Sequence, residues 1–451
     1  MSQLIIGHIT ENSAKIWVRG MANNESTTTL KAQIIIKSDL QTLSQNLSIY
    51  KHDNFIGVLE LDELNPADSG FIRMMYTVEV VFKDIAGVPI GYSYRGSFNT
   101  VPRVDYPVSF LLGSNNLQRT PLDGKRVFRN LINIRRAEKP ALMIHAGNQI
   151  YVDAPAQQRE IQSEDYKRRY IESWNHREAV EFYGRIANYA TINDHELYFR
   201  YANDVEYDVK TASYYSREAL PVYQMFQHLR NPQTFGNKFY YTFNYTGASF
   251  FVLDTRTERY QFVKSTQRRQ MISEEQMQAL KDWLLTNHDK AKFIVTAVPF
   301  ITIKETDYSE YWSAEAFITQ KEEILAFIKE HHLKGIVFLT GQGNASLHST
   351  ITLKRNYQES IILHELMCGP LSHYEAGLSN YDDFVWQQKV RTLDLEYDYK
   401  LVSGNGACDP SVMSINYHNG KLTYKAFTTR FDLIEEEVPP TILDGGFDVF
   451  G

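Results

Sequence analysis

Apolar and polar positions alternate in short runs through the first hundred residues. The runs LIIGHIT (4–10), SAKIWVRG (13–20), LKAQIII (30–36), FIGVLEL (55–61), MMYTVEVVF (74–82) and YSYRGSFNT (92–100) are rich in β-branched and aromatic side chains, with turn residues between them. Short strands at this spacing predict a β-sandwich over residues 1–102. Asn99 to Pro107 carries two prolines and reads as a linker. Beyond it the period changes. Apolar strands (VSFLLGS, ALMIHAGNQIY, KFIVTAVPF, KGIVFLTG) alternate with segments of helical spacing, such as Val127, Phe128, Leu131 and Ile132. Ser163 to Ala190 reads as one long helical, tyrosine-rich section, and Ser273 with Gln276 as a capping box. Asn419-Gly420 predicts a hairpin turn. Strand–helix alternation implies a layered α/β domain over 108–434, followed by an acidic surface tail over 435–451.

Composition narrows the function classes. The 451 residues are 43% hydrophobic and 22% charged with a formal charge of −7, ordinary for a globular chain and without the basic stripe of a nucleic-acid binder. Two cysteines, Cys368 and Cys408, have no metal-type spacing and read as buried thiols in a reducing compartment. The N-terminal stretch MSQLIIGHIT lacks a charged and an apolar signal region, and no run reaches the ~18 apolar residues of a membrane span. The expectation is a cytoplasmic chain with no membrane span, signal-less secretion being the other route.

Four strand ends carry polar clusters, and strand exits are where α/β proteins collect their sites. They are Asn115 with Asn116; Asn148 with Tyr151; Asn193, Asp194, His195 and Glu196; and Gln342 with Asn344. The order and spacing of these clusters, with LDTRTERY (253–260), MISEEQMQALKDWL (271–284), VPF (298–300) and HELMCGPL (364–371), resemble the alkaline phosphatase D (PhoD-like) group of metallophosphoesterases. The resemblance implies an N-terminal β-sandwich followed by a four-layer α/β/β/α domain. It also implies a two-metal phosphoester hydrolase, in which hard anionic ligands offset the charge of two cations.

The ligand positions depart from the family's pattern. Ser-Cys reads Ser114-Asn115, and Gly-Asp-x-x-Tyr reads Gly147-Asn148-Gln149-Ile150-Tyr151. Asp-Asp-His-Glu reads Asn193-Asp194-His195-Glu196, and Gly-Asp-x-His reads Gly341-Gln342-Gly343-Asn344. Each replacement is a neutral amide, able to hydrogen-bond its neighbours but unable to compensate a cation. By resemblance the remaining metal ligands are Tyr151 and Asp194. The cofactor expectation is therefore at most one weakly bound divalent metal.

Asp194, His195 and Glu196 are the candidate catalytic residues, as a general acid–base group or a one-metal site; the preferred reading is a hydrogen-bonded remnant. Tyr151 is a metal ligand by resemblance or a hydrogen-bond donor to an amide. Arg256 and Arg259 either hold an anion bidentately or tie parts of the domain together. His145 reads as a satisfied core residue, and His348 as a poor substitute for the missing imidazole. The expected function is binding by a phosphatase-fold protein without its dimetal centre, the partner being a protein or a phosphorylated small molecule. The alternative is a hydrolase of altered chemistry.

Overall fold

The computed structural model describes residues 3–65, 73–153, 160–203, 209–234, 236, 238–261, 269–300, 310–343, 345–354, 359–372, 387–392, 395–405, 410–430 and 437–451. Asn344 and Cys408 lie outside the described residues.

The N-terminal strands are β1 (Gln3–Ile9), β2 (Ala14–Arg19), β3 (Thr29–Lys37), β4 (Thr42–Tyr50), β5 (Ile56–Leu61), β6 (Met75–Lys83) and β7 (Tyr94–Asn99). Four of them form an antiparallel sheet in the order β4-β3-β6-β7. Alternation along β3 and β6 buries Leu30, Ala32, Ile34 and Ile36 beside Tyr76, Val78, Val80 and Phe82, the period of a half-buried sheet. Facing this sheet, β1, β2 and β5 close the sandwich. The two faces share one core with the space between the two larger sheets described below. Gly96 marks the joint, because a Cβ there would run into the carbonyl oxygen of Gly184.

The chain continues through β8 (Val108–Gly113), α1 (Pro121–Glu138), β9 (Leu142–Ala146), α2 (Ser163–Trp174), α3 (Arg177–Tyr183) and β10 (Ala187–Thr191). Next come α4 (Val209–Phe226), β11 (Tyr241–Tyr245), β12 (Ala248–Val252), α5 (Glu274–Thr286), β13 (Ala291–Thr296), α6 (Ile318–Glu330) and β14 (Ile336–Thr340). The last strands are β15 (Leu347–Leu353), β16 (Ile361–Met367), β17 (Gln387–Arg391), β18 (Glu396–Gly404), β19 (Ser411–His418), β20 (Lys421–Thr428) and β21 (Thr441–Asp448). One sheet has nine strands in the order β21-β20-β19-β8-β9-β10-β1-β2-β5, and the other eight, β11-β12-β13-β14-β16-β15-β18-β17. Parallel pairing of β1 with β10 makes the sandwich an extension of the nine-stranded sheet.

Three cores separate four layers. Helices α1 to α4 cover the nine-stranded sheet through Phe128, Leu131, Trp174 and Phe226. Helices α5 and α6 cover the eight-stranded sheet through Leu280, Trp283, Ile324 and Ile328. Between the sheets, Phe110 of β8 meets Phe250 of β12 and Phe293 of β13 edge-on at 5.5 and 5.4 Å, while Phe243 of β11 stacks on Phe250 at 4.5 Å. Offset and edge-to-face pairs of this kind add to the burial itself. This is the α/β/β/α architecture expected from the resemblance.

Three local expectations change. The section Ser163–Ala190 is two short helices followed by β10, since the fully buried Ala187–Thr191 is drawn into the sheet. The expected capping box at α5 is only half formed. Ser273 Oγ accepts the Gln276 amide at 3.2 Å, but the Gln276 side chain turns away and brackets the backbone of Asp254 through bonds of 2.9 and 3.0 Å. The acidic C-terminal segment contains β21, an edge strand with mostly exposed or half-buried residues. The Asn419-Gly420 hairpin forms with both residues at positive φ, 48° and 79°.

Phe250→Ala should lower stability by about 3–5 kcal/mol, because the space lies between two sheets that cannot collapse independently. Urea unfolding followed by tryptophan fluorescence measures it; a loss under about 1 kcal/mol would contradict the packing described.

Candidate functional site

Strands β8, β9, β10, β12, β13 and β14 release the chain at one edge of the two sheets, and turns at their exits bring polar residues inward. Asn115, Asn148 and Gln342 all take left-handed backbone, with φ of 54°, 57° and 60°; asparagine tolerates this region better than most residues. Gly147 precedes Asn148 at φ 79°, and a Cβ there would come within 2.5 Å of the Asn193 Cβ. Glycine thus lets the β9 and β10 exits close on each other.

The amides bond among themselves. Asn148 Nδ2 donates to Asn115 Oδ1 at 3.0 Å, and Asn148 Oδ1 accepts the His195 amide at 3.2 Å. Asn193 Nδ2 donates to Gln342 Oε1 at 3.0 Å, joining the two sheets. The residues expected to converge from the four strand ends do so among the described residues.

The three consecutive candidates Asp194, His195 and Glu196 face different surroundings. Glu196 is fully buried and points into the scaffold, where its oxygens accept the amides of Asn148 (2.9 Å), Gln149 (2.5 Å) and Asn193 (3.0 Å). Burial raises its pKa while these bonds pull the other way. It closes the capping box of the short turn 194–196 and anchors the β9 exit to the β10 exit. Asp194 accepts the Arg200 amide at 3.0 Å, and its other oxygen lies 3.7 Å from Arg256 Nη2. Burial alone would raise this carboxyl, but the charges of Arg256 and His195 hold it at about 2.

His195 donates Nδ1–H to Asp153, 2.8 Å away. Its ring stacks on Tyr151 at 4.0 Å and lies 5.6 Å from Phe199. Burial opposes protonation, yet Asp194 and Asp153 outweigh it and hold the imidazolium up to about 9. Asp153 and Glu310 were not evident in the sequence. Neither sits in a recognisable motif, and both matter only because folding places a cation beside them.

Arg256 occupies the centre. The bracket from Gln276 and the amides of Arg256 and Thr257 bonded to Asp254 Oδ1 fix the turn after β12. The guanidinium then crosses to the opposite sheet. Nε donates to Asn193 Oδ1 at 2.6 Å, Nη1 to Glu310 Oε2 at 2.5 Å and to the Tyr201 carbonyl at 3.2 Å, and Nη2 to Gln342 Oε1 at 3.2 Å. Arg259 donates to the same Glu310 oxygen at 3.0 Å, to the Thr255 carbonyl and to Met271 Sδ. Both side chains are fully buried. A guanidinium has five N–H donors, and those of Arg256 are directed at protein acceptors.

Elsewhere, His145 bonds Asn188 inside the sheet, and burial lowers it to about 4. His348 bonds Tyr424 and His364 between the sheets, away from this cluster. Cys368 lies 3.6 Å from Ser114 Oγ, and burial pushes its thiol up to about 12, so it is not a thiolate ligand.

A two-cation centre does not fit this donor set. Among the described residues, no group of three or more His, Cys, Asp or Glu side chains is placed to hold a metal ion. Asp194 already faces a guanidinium, Glu196 is saturated by amides, and the strand-end amides satisfy one another. Neutral amides leave a divalent charge uncompensated.

Two outcomes follow. Arg256→Met leaves Asp194 buried without its guanidinium and Glu310, among the described residues, with Arg259 alone, and should destabilise the chain by roughly 3–5 kcal/mol in urea unfolding; an unchanged midpoint contradicts the cluster. The imidazolium of His195 is raised from 6.5, so its contribution is complete below pH 6.5 and fades as pH rises through about 9. Thermal unfolding at pH 6 and pH 9.5 should show a drop in wild type that His195→Gln lacks.

The PhoD-like phosphatase family model matches residues 118–417. A solved structure of PhoD superposes with a TM-score of 0.73 at 17% identity, covering 99% of this chain and 90% of that one. A Bacteroides uniformis β-glucuronidase aligns with a TM-score of only 0.27 at 9% identity, covering 100% of this chain and 60% of that one. No curated protein matches. With the family match spanning most of the chain and the PhoD fold present from the sandwich to the last strand, the protein belongs to the PhoD-like phosphatase family.

Proposed function

We propose that this chain is a PhoD-family protein that has given up dimetal phosphoester hydrolysis and acts by binding. The observation that carries this reading is the state of Asp194, the one aspartate kept among the family's ligand positions. Its two oxygens face Arg256 and the Arg200 amide. A metal would have to displace a guanidinium that also bonds Asn193, Glu310 and Gln342. The same contacts favour Arg256 and Arg259 as ties between the sheets over anion receptors. Tyr151, packed on the His195 ring, belongs to this self-contained cluster.

One observation favours the second reading, a hydrolase with one-metal or metal-free chemistry. His195 is only partly buried and, among the described residues, its Nε2 makes no hydrogen bond to protein, which leaves an N–H free to act on a substrate oxygen. Glu196 is the least suited of the three candidates, because it is turned inward.

Elemental analysis of the purified chain should find substoichiometric divalent metal, and phosphomonoesterase and phosphodiesterase assays with Mn²⁺ or Ca²⁺ should stay at background. Two tightly held cations per chain would overturn the proposal. Asn148→Asp with Gln342→Asp should lower the melting temperature in chelator, since the first replaces a donor to Asn115 by a second acceptor and both add anions near Asp194. Divalent metal should restore part of that loss in the double variant by mass action and leave wild type unmoved. A wild-type gain of several degrees with metal, matched by none in the variant, would make the amides working ligands.

A further inference from the structure

Away from the arginine cluster, a cleft of about 690 Å³ opens between the sandwich and the eight-stranded sheet. One wall is β11 with its turn, the second is the segment Val101–Asp105, and the third is the turn after β1 with His8. None of the cluster's residues lines it.

The β11 wall is a free sheet edge. Among the described residues β11 pairs with β12 alone. The two-residue turn Thr246-Gly247 makes Tyr245 and Ala248 the closing pair. A two-residue hairpin closes on a hydrogen-bonded pair and the pairs alternate. Tyr245, Phe243 and Tyr241 therefore bond into the sheet, while Thr242 and Asn244 direct their N–H and C=O groups outward. Thr242, Phe243 and Asn244 all line the cleft. Side chains alternate between faces, so three consecutive residues reach one cavity only along the strand's edge. Across the cleft, the Arg103, Val104 and Asp105 amides make no backbone hydrogen bond among the described residues.

Charge selects the occupant. Glu11 is paired with Arg103 at 3.4 Å. Asp105 makes no ion pair among the described residues, and its carboxylate sits beside Gly247 at the end of β11. Burial keeps His8 neutral, its pKa lowered to about 4. The Tyr189 hydroxyl accepts the Ile9 amide at 3.3 Å and lies 3.1 Å from His8 Nδ1, which fixes the ring at the cleft wall. A lining with one net negative charge and outward backbone groups matches a cationic, extended chain.

We propose that this cleft docks an extended peptide segment of a partner protein, which adds to the free edge of β11 and sets a lysine or arginine against Asp105. Main-chain bonds to Thr242 and Asn244 supply affinity, and the acidic end supplies preference, as in other strand-addition complexes.

The test is fluorescence anisotropy of the full chain with a labelled pentapeptide of alternating lysine and valine, combined with amide hydrogen exchange. Saturable binding with slowed exchange at Thr242 and Asn244 is expected. Asn244→Pro removes an outward N–H and leaves the β12 ladder intact, so binding should be lost while the melting curve is kept. If that variant does not fold, Asp105→Asn, at an exposed position, should weaken binding about fivefold, the worth of an exposed ion pair. A glutamate–valine peptide should bind more weakly than the lysine form. Absence of saturable binding, equal affinity in wild type and Asn244→Pro, or a self-dimer that Asn244→Pro abolishes would overturn the proposal.

Discussion

A fully buried guanidinium must be met on every side, and Arg256 is met by residues from elements remote in sequence. Asn193 follows β10, Gln342 follows β14 and Glu310 precedes α6, while the turn that carries Arg256 is held by Gln276 of α5. These bonds lie in a water-poor interior, where an unmet charge costs far more than a satisfied one returns. The geometry of both sheet edges is consequently tied to one side chain. In such a frame the cation that Asp194 faces belongs to the chain itself.

The amides are matched as donor to acceptor, Asn148 to Asn115 and Asn193 to Gln342. Carboxylates at the same points would meet as like charges and would call for an external cation to hold them together. The consecutive Asp194, His195 and Glu196 separate accordingly, one toward the arginine, one toward Asp153 and the rim, and one into the scaffold.

Architecture follows the same division of labour. Aromatic packing between Phe110, Phe250 and Phe293 fixes the spacing of the two sheets, on which every bond across the strand exits depends. The sandwich adds β1, β2 and β5 to one side of the nine-stranded sheet, and its junction with β11 creates the cleft. A boundary between two layers thus offers a surface that neither layer has alone.

Much of this was legible in the chain. The strand runs, the Asn-Gly hairpin and the change of period after Pro107 report local preferences and burial, and those act over a few residues. The strand-end amides marked the polar cluster at the sheet edge, where Asn148 meets Asn115 and Asn193 meets Gln342. Other features were hidden. The helix α4 carries Pro221 in its interior and shows no clean start in the sequence, and β10 was absorbed into a helical reading because Ala187, Asn188 and Ala190 lack β preference. Gln276 had the spacing of a cap, yet a backbone bracket at Asp254 claimed its side chain. Glu310 and Asp153 had no local signature at all. Sequence alone determined which residues are neutral and which are charged, since that is a property of each side chain. Which charge meets which was decided only by tertiary structure, because partners separated by tens to hundreds of residues become neighbours only when the two sheets pack.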